Sequence, residues 1–87
     1  MKILVLDDEP KIQGILKGRL EMDGHEVFTA ESGEAGLALI SEHQPHLLLL
    51  DLSLKGKLSG RDVLAEVKKT NPQVHVVVVT GWRALGL

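Results

Sequence analysis

Residues 47–51 read LLLLD, so the most apolar run of the chain leads directly into a carboxylate. A short apolar run without polar alternation is typical of a strand that is buried on both faces of a parallel sheet. A similar run, ILVL at residues 3–6, is followed by Asp7 and Asp8, and a third, VHVVVVT, covers residues 74–80. The pattern predicts buried strands that end in polar residues.

Helical patterns separate these strands. The first helix is predicted to begin at Pro10 and to stop near Gly24. Its apolar residues recur with helical spacing at Ile12, Ile15, Leu16 and Leu20. The next segment, HEVFTA at residues 25–30, is predicted to be a strand.

Two more helices are indicated by their capping residues. Ser32 can cap a helix that ends before Pro45, and Ser59 with Asp62 forms a capping box for a helix that ends at residues 71–72, Asn-Pro. The order is therefore strand, helix, strand, helix, strand, helix, strand. Right-handed crossovers then predict an α/β fold, an open parallel sheet covered on both faces.

Composition limits the class of protein. With 87 residues, 44% hydrophobic and 25% charged, the chain is expected to form a single folded domain over residues 1–87. Because it has no cysteine, disulfides and thiolate metal sites are excluded, and a cytoplasmic location is expected. The first apolar run is too short for a signal peptide or membrane span. The sequence also lacks the basic, aromatic-rich patch that is typical of nucleic-acid binding.

Three acids are predicted to meet at one edge of the sheet. Ligands of such sheets bind outside the carboxyl ends of the strands, where Asp7, Asp8 and Asp51 are expected. A lone Asp after a strand can simply cap a helix. Three carboxylates without a counter-ion repel one another, so a shared Mg²⁺, which prefers oxygen ligands, is the favoured interpretation.

The segments ILVLDDEP, LLLLDLSLKGKLSG and VVVVTGW, in this order and at these separations, resemble the receiver domain of bacterial two-component response regulators. The resemblance covers residues 2–81. It implies a flavodoxin-like sheet, here with strand order 2-1-3-4. It also implies that the domain accepts a phosphoryl group from a histidine kinase or a phosphotransfer protein.

The resemblance assigns roles to individual residues. Asp51 matches the phosphoacceptor and Asp8 a direct Mg²⁺ ligand, while Asp7 matches an acid that holds the metal partly through water. Ser53 matches the position whose backbone carbonyl binds the metal, with Asp51 completing the metal ligands. Thr80 matches the switch hydroxyl that binds a phosphoryl oxygen.

Two further positions concern access to the site. Gly81 matches the small residue that keeps the site open. Trp82, which follows at a position where the family varies, is expected either to shield the site or to pack against the domain.

The sequence departs from the family pattern after the fourth strand. A fifth strand, with the lysine that pairs with the phosphoryl group, and a fifth helix are expected to be missing. The loop between Asp51 and Gly60 has one extra residue, and Lys55 stands where proline is typical. Lys55, ahead of Lys57 or Arg83, is therefore a candidate to supply the missing charge, although these side chains can also be ordinary solvated cations.

The missing strand leads to a prediction about partners. Without it, Val74–Val79 would be an exposed apolar edge, so self-association is expected, either as a dimer with the fourth strands side by side or by swapping of elements between chains. Two alternatives to a phosphoacceptor remain. One is a degenerate receiver that acts as a phosphorylation-independent interaction module, and the other is a metal-dependent aspartate phosphatase, which usually has a second acid where Ser53 stands.

Overall fold

The computed structural model describes the backbone of residues 1–80 and 83–86 and the side chains of residues 1–79. Its strands are β1 (Lys2–Leu6), β2 (Glu26–Ala30), β3 (Leu47–Asp51), β4 (His75–Thr80) and β5 (Arg83–Gly86). They form one sheet in the order β2-β1-β3-β4-β5, and the first four strands are parallel. The predicted open parallel sheet with strand order 2-1-3-4 is confirmed.

The outer side of β4 differs from the expectation. No parallel fifth strand or fifth helix occurs in the described part of the chain, but β5 runs antiparallel to β4 and pairs with Val77–Thr80. An antiparallel neighbour needs only a short connection, whereas a parallel one needs a crossover of about a dozen residues or more. The prediction that Val74–Val79 is an exposed edge is therefore wrong for Val77–Val79.

The helices begin where their capping residues predict. They are α1 (Pro10–Met22), α2 (Gly33–His43) and α3 (Gly60–Thr70). The Ser32 hydroxyl accepts a hydrogen bond from the Ala35 N–H at 3.2 Å, and Ser59 and Asp62 form the predicted reciprocal capping box. These side chains satisfy N–H groups that a helix start leaves unpaired. None of the helices in residues 1–80 and 83–86 is long and apolar enough to cross a membrane.

The two faces of the sheet carry two apolar clusters, because successive side chains of a strand point to opposite faces. Helices α2 and α3 cover the larger cluster, and α1 covers the smaller one. The larger cluster contains Leu4, Leu6, Leu48, Leu50, Val63, Val67, Val76 and Val78. The smaller one is built on Ile3, Val5 and Val27, with Leu16 and Leu20 of α1 packed against it. These clusters fix the strands whose ends carry the acids.

One predicted core residue of α1 faces solvent. Ile15 is 54% exposed, while Leu16 and Leu20 pack on the sheet. Residues that are one position apart on a helix point about 100° apart, so a helix that covers the sheet with Leu16 turns Ile15 outward. The first helix therefore has a narrower apolar face than its sequence suggests.

Candidate functional site

Strand register places Asp7 beside Asp51. Leu6 of β1 pairs with Leu50 of β3, so the two acids are the next residues on adjacent parallel strands. Because such strands lie about 4.8 Å apart, side chains at equivalent positions come close together. Asp8 completes the group, and carboxylate oxygens of the three residues all lie within 4.8 Å of one another. The structure thus brings the three predicted acids into one cluster at the carboxyl edge of the sheet.

The cluster is enclosed and strongly negative. Asp7 is 6% exposed and Asp51 is 8% exposed, while Asp8 is half-buried. Burial raises the pKa of Asp7 above its ordinary value, and the charges of Asp51, Asp8 and Glu9 act in the same direction. The N–H of Glu9, which donates to Asp7 Oδ1 at 2.9 Å, partly offsets this rise in the pKa. None of the ion pairs among the described side chains involves a member of the cluster.

The donor atoms of the cluster suit a hard divalent cation. Mg²⁺ prefers carboxylate and carbonyl oxygens and is commonly held by one or two carboxylates together with water. Oxygens from three carboxylates within 4.8 Å of one another provide such donors. A cation would also offset the mutual repulsion of these buried carboxylates. The residues present therefore fit Mg²⁺.

Asp51 is held in one orientation by Ser53. Both the backbone N–H and the hydroxyl of Ser53 donate to Asp51 Oδ1, at 2.9 and 2.7 Å. In the described hydrogen-bond network, Oδ2 of Asp51 receives no donor. One carboxylate oxygen is thus fixed by Ser53, and the other accepts no hydrogen bond from the described residues.

Gly60 allows α3 to begin against the end of β3. A Cβ atom at this position would overlap Leu52 Cα and would lie 2.5 Å from the backbone carbonyl oxygen of Asp51. Only glycine avoids this clash, because the obstructing atoms belong to the backbone and cannot rotate away. Sequence analysis identified Gly60 only as the end of the loop that follows Asp51, and the close approach of α3 to β3 is evident only in the structure.

Sequence reasoning did not identify Gln13 as part of the site. Its side-chain amide donates hydrogen bonds to the backbone carbonyls of Asp7 and Ala30, which lie at the ends of β1 and β2. The signal in the sequence is its spacing. Gln13 lies three residues before Leu16 and seven before Leu20, so a polar group occurs on the sheet-facing side of an amphipathic helix.

The remaining predicted site residues lie around the cluster or outside the described residues. Val79 pairs with Asp51, so Thr80 lies one position further toward the carboxyl edge, but its side chain is outside the described part. Gly81 and Trp82 also lie outside the described residues. Lys55 is exposed in the loop between β3 and α3, and it makes none of the ion pairs or hydrogen bonds found among the described side chains.

The histidines lie away from the acids. His25 and His46 directly precede β2 and β3, and His75 begins β4, so all three lie at the amino edge of the sheet. His46 Nδ1 accepts the Lys2 N–H at 3.0 Å, and His43 stacks on Phe28 with ring centroids 4.1 Å apart. These contacts give His46 and His43 structural roles away from the cluster.

An open parallel sheet with an acidic cluster at its carboxyl edge is the arrangement that the sequence resemblance implies. The chain belongs to the response regulator receiver domain family, whose pattern it matches over residues 3–86.

Curated relatives are longer proteins. The chain is 40% identical over 80 residues to the nitrogen assimilation regulatory protein NtrX of Azorhizobium caulinodans, covering 91% of this chain and 18% of that protein. It is 39% identical over 79 residues to the probable transcriptional regulator ycf27 of Porphyridium aerugineum, covering 91% of this chain and 32% of that protein. The chain thus spans about a fifth to a third of the relatives it matches.

Solved structures agree with this assignment. The receiver domain of NtrX from Brucella abortus superimposes with a TM-score of 0.84 at 42% identity, over 87% of this chain and 64% of that chain. The response regulator protein TrrA of Thermotoga maritima, in complex with Mg²⁺ and BeF, gives a TM-score of 0.85 at 37% identity, over 91% of this chain and 68% of that one.

Proposed function

We propose that residues 1–87 form a receiver module that takes a phosphoryl group onto Asp51 from a histidine kinase or a phosphotransfer protein, with Mg²⁺ at the acidic cluster. The observation that carries this proposal is the approach of carboxylate oxygens of Asp7, Asp8 and Asp51 to within 4.8 Å at the end of two buried strands. Such a cluster costs stability by itself, and this cost is offset when a divalent cation binds it.

The orientation of Asp51 supports a nucleophilic role. With Oδ1 held by Ser53, Oδ2 is the oxygen that attacks phosphorus. The bond between phosphorus and the imidazole nitrogen of the donor's phosphorylated histidine breaks, and its electron pair stays on that nitrogen. An acyl phosphate forms on Asp51. A carboxylate is a weak nucleophile, so the contribution of the protein is positioning. When bound, Mg²⁺ supplies the neutralisation of charge on the phosphoryl oxygens.

We assign the ligands of the cation as the family resemblance implies. Asp8 and Asp51 would bind it directly, Asp7 would hold it partly through water, and Ser53 would contribute its backbone carbonyl. The complex of the related TrrA with Mg²⁺ and BeF supports a magnesium site in a protein of this fold. Thr80 is assigned the hydroxyl that contacts a phosphoryl oxygen, and Gly81 and Trp82 the control of access.

Two basic residues are candidates to balance the negative charge of the phosphoryl group. Lys55, the candidate from the sequence, is exposed in a loop. Register places Arg83 directly opposite Thr80, at the same edge as the acids. Replacing each by alanine and comparing phosphorylation rates tests both, with exposed Lys11→Ala on α1 as the control. If Lys55→Ala leaves the rate unchanged, the loop lysine has no role in charge compensation.

The proposal is tested by intact-protein mass spectrometry after incubation with acetyl phosphate. One added phosphoryl group is expected with Mg²⁺, and none with EDTA or in Asp51→Asn. Asp23→Asn, a surface variant at the end of α1, should be modified like the parent chain. Absence of modification in the parent chain with Mg²⁺, or modification that persists in Asp51→Asn, would contradict the proposal.

Two alternatives receive less support. The phosphatase reading needs a second acid two residues after the nucleophile, and Ser53 at that position instead donates hydrogen bonds to Asp51. We therefore propose that the chain accepts phosphate rather than acting as an enzyme on other molecules. The interaction module gains no support from an open β4 edge along Val77–Thr80, because β5 pairs with these residues. Sedimentation over a range of concentrations discriminates, since association through this edge predicts dimers.

A further inference from the structure

Gln13 connects the ends of two strands beneath the acidic cluster. It lies in the first turns of α1, half-buried, with its side chain directed at the carboxyl edge of the sheet. Its Nε2 donates to the carbonyl oxygen of Ala30 at 2.9 Å and to the carbonyl oxygen of Asp7. The Ala30 oxygen also accepts the N–H of Asp7, at 3.1 Å. One amide group thus holds the points where β1 and β2 end.

The position of the backbone carbonyl of Asp7 determines the orientation of the Asp8 backbone. This oxygen belongs to the peptide unit that joins Asp7 to Asp8, and a peptide unit is planar and rigid. Fixing the oxygen therefore fixes the direction of the N–H and the Cα of Asp8. The side chain of Asp7 is fixed separately by the N–H of Glu9. Gln13 accordingly acts on the backbone that carries both acids of this loop.

The chemistry of an amide suits this position. A carboxamide NH₂ has two N–H donors, one for each carbonyl oxygen, and it carries no charge. A glutamate at this position could not donate to the carbonyls when ionised, and it would add a fourth negative charge. A lysine or arginine could donate, but its positive charge would compete with a cation for the carboxylates.

We propose that Gln13 is a positioning residue of the cation site, and that its amide holds the Asp7–Asp8 backbone in the geometry that binds Mg²⁺. This inference rests on the proposed magnesium-dependent function. It adds a residue that contacts neither the carboxylate oxygens nor a phosphoryl group, and that acts only through the backbone of the two ligands.

The test is a Mg²⁺ titration of the folded protein, followed by NMR amide shifts, for the parent chain and for Gln13→Met. Methionine has nearly the same length but no donor, so we expect Mg²⁺ affinity to fall about 10-fold or more, as for other residues that orient metal ligands. Gln73→Met, in the exposed segment before β4, is the matched control and should bind Mg²⁺ like the parent chain. Melting temperatures in EDTA report any general loss of stability.

The outcomes separate this inference from the proposed function. If the parent chain does not bind Mg²⁺, both fail. If the parent chain binds Mg²⁺ and folded Gln13→Met binds it equally tightly, only the positioning role of Gln13 is refuted, even if the melting temperature falls. Should Gln13→Met fail to fold, Gln13→Leu, which also lacks a donor, replaces it. A folded Gln13→Leu with unchanged affinity would refute the role equally.

Discussion

Ser53 donates two hydrogen bonds to a single oxygen of Asp51, one from its backbone N–H and one from its hydroxyl. Ser53, two residues after the predicted acceptor Asp51, thus determines which oxygen of the carboxylate is free. The backbone bond would be available to most residues at this position, whereas the hydroxyl bond depends on serine or threonine.

Replacing Ser53 with alanine should slow the phosphorylation of Asp51 by acetyl phosphate about three- to tenfold, because one hydrogen bond is worth about 1 kcal/mol. The rate is measured by intact-protein mass spectrometry at fixed Mg²⁺. Ser41→Ala, at an exposed position on α2, is the control. An unchanged rate in Ser53→Ala would show that the backbone bond alone orients the carboxylate.

Asp7→Asn should stabilise the Mg²⁺-free protein at neutral pH, since it removes a buried charge beside Asp8 and Asp51. The gain should be about 1 kcal/mol, equivalent to a rise in Tm of roughly 4–8 °C for a domain of this size. Because the folded state raises the pKa of Asp7, the parent chain loses stability as the pH rises through that pKa. The advantage of the variant should therefore disappear in acid.

Thermal denaturation in EDTA from pH 3 to pH 8 measures this effect. Glu31→Gln, at an exposed position just after β2, is the control and should show no comparable gain. A lower Tm for Asp7→Asn at pH 7 would mean that the extra strength of the Glu9 hydrogen bond to an ionised carboxylate outweighs the repulsion between the carboxylates.

Two glycines should respond to alanine in opposite directions. Gly60→Ala should destabilise the fold by about 3 kcal/mol, because the new Cβ meets the backbone of Leu52 and Asp51. Gly14 lies in α1 with nothing within 4 Å of a Cβ, so Gly14→Ala should stabilise the protein by up to about 1 kcal/mol. Urea denaturation measures both changes. Equal effects would contradict the close approach of α3 to β3.

The capping box of α3 predicts a dependence on pH. Hydrogen bonds from the backbone N–H and then the side chain of Ser59 lower the pKa of Asp62. A lowered pKa in the folded state means that this stabilisation is present above the ordinary pKa of aspartate, about 3.9, and is lost as the pH falls through the lowered pKa. The stability difference between the parent chain and Asp62→Asn should thus hold at pH 5–8 and shrink in acid.

Thermal denaturation of both proteins across this range is the measurement. Glu66→Gln, an exposed acid on the same helix, controls for a general effect of removing a charge. If the difference for Asp62→Asn stayed constant down to pH 2, the ionised form of Asp62 would not be responsible for the cap.

Features that depend on neighbours in the sequence were predicted correctly. The apolar runs became β1, β3 and β4, and Ser32 and Ser59 cap the helices they precede. The strand β5 was not predicted, since RALG at residues 83–86 has neither the length nor the alternation of a strand. Its pairing with β4 stabilises an extended conformation that the sequence of residues 83–86 does not favour by itself. The outward position of Ile15 likewise depends on how α1 packs on the sheet.

The order of strands and helices, and the acids after two buried runs, can be derived from local properties of the sequence such as periodicity and capping. Tertiary packing set the pairing of Leu6 with Leu50, and hence the position of Asp7 beside Asp51. It also decided that Gln13 reaches two backbone carbonyls and that Ser53 occupies one oxygen of Asp51. Distances between residues far apart in the chain depend on strand register and helix packing, which the whole core fixes together.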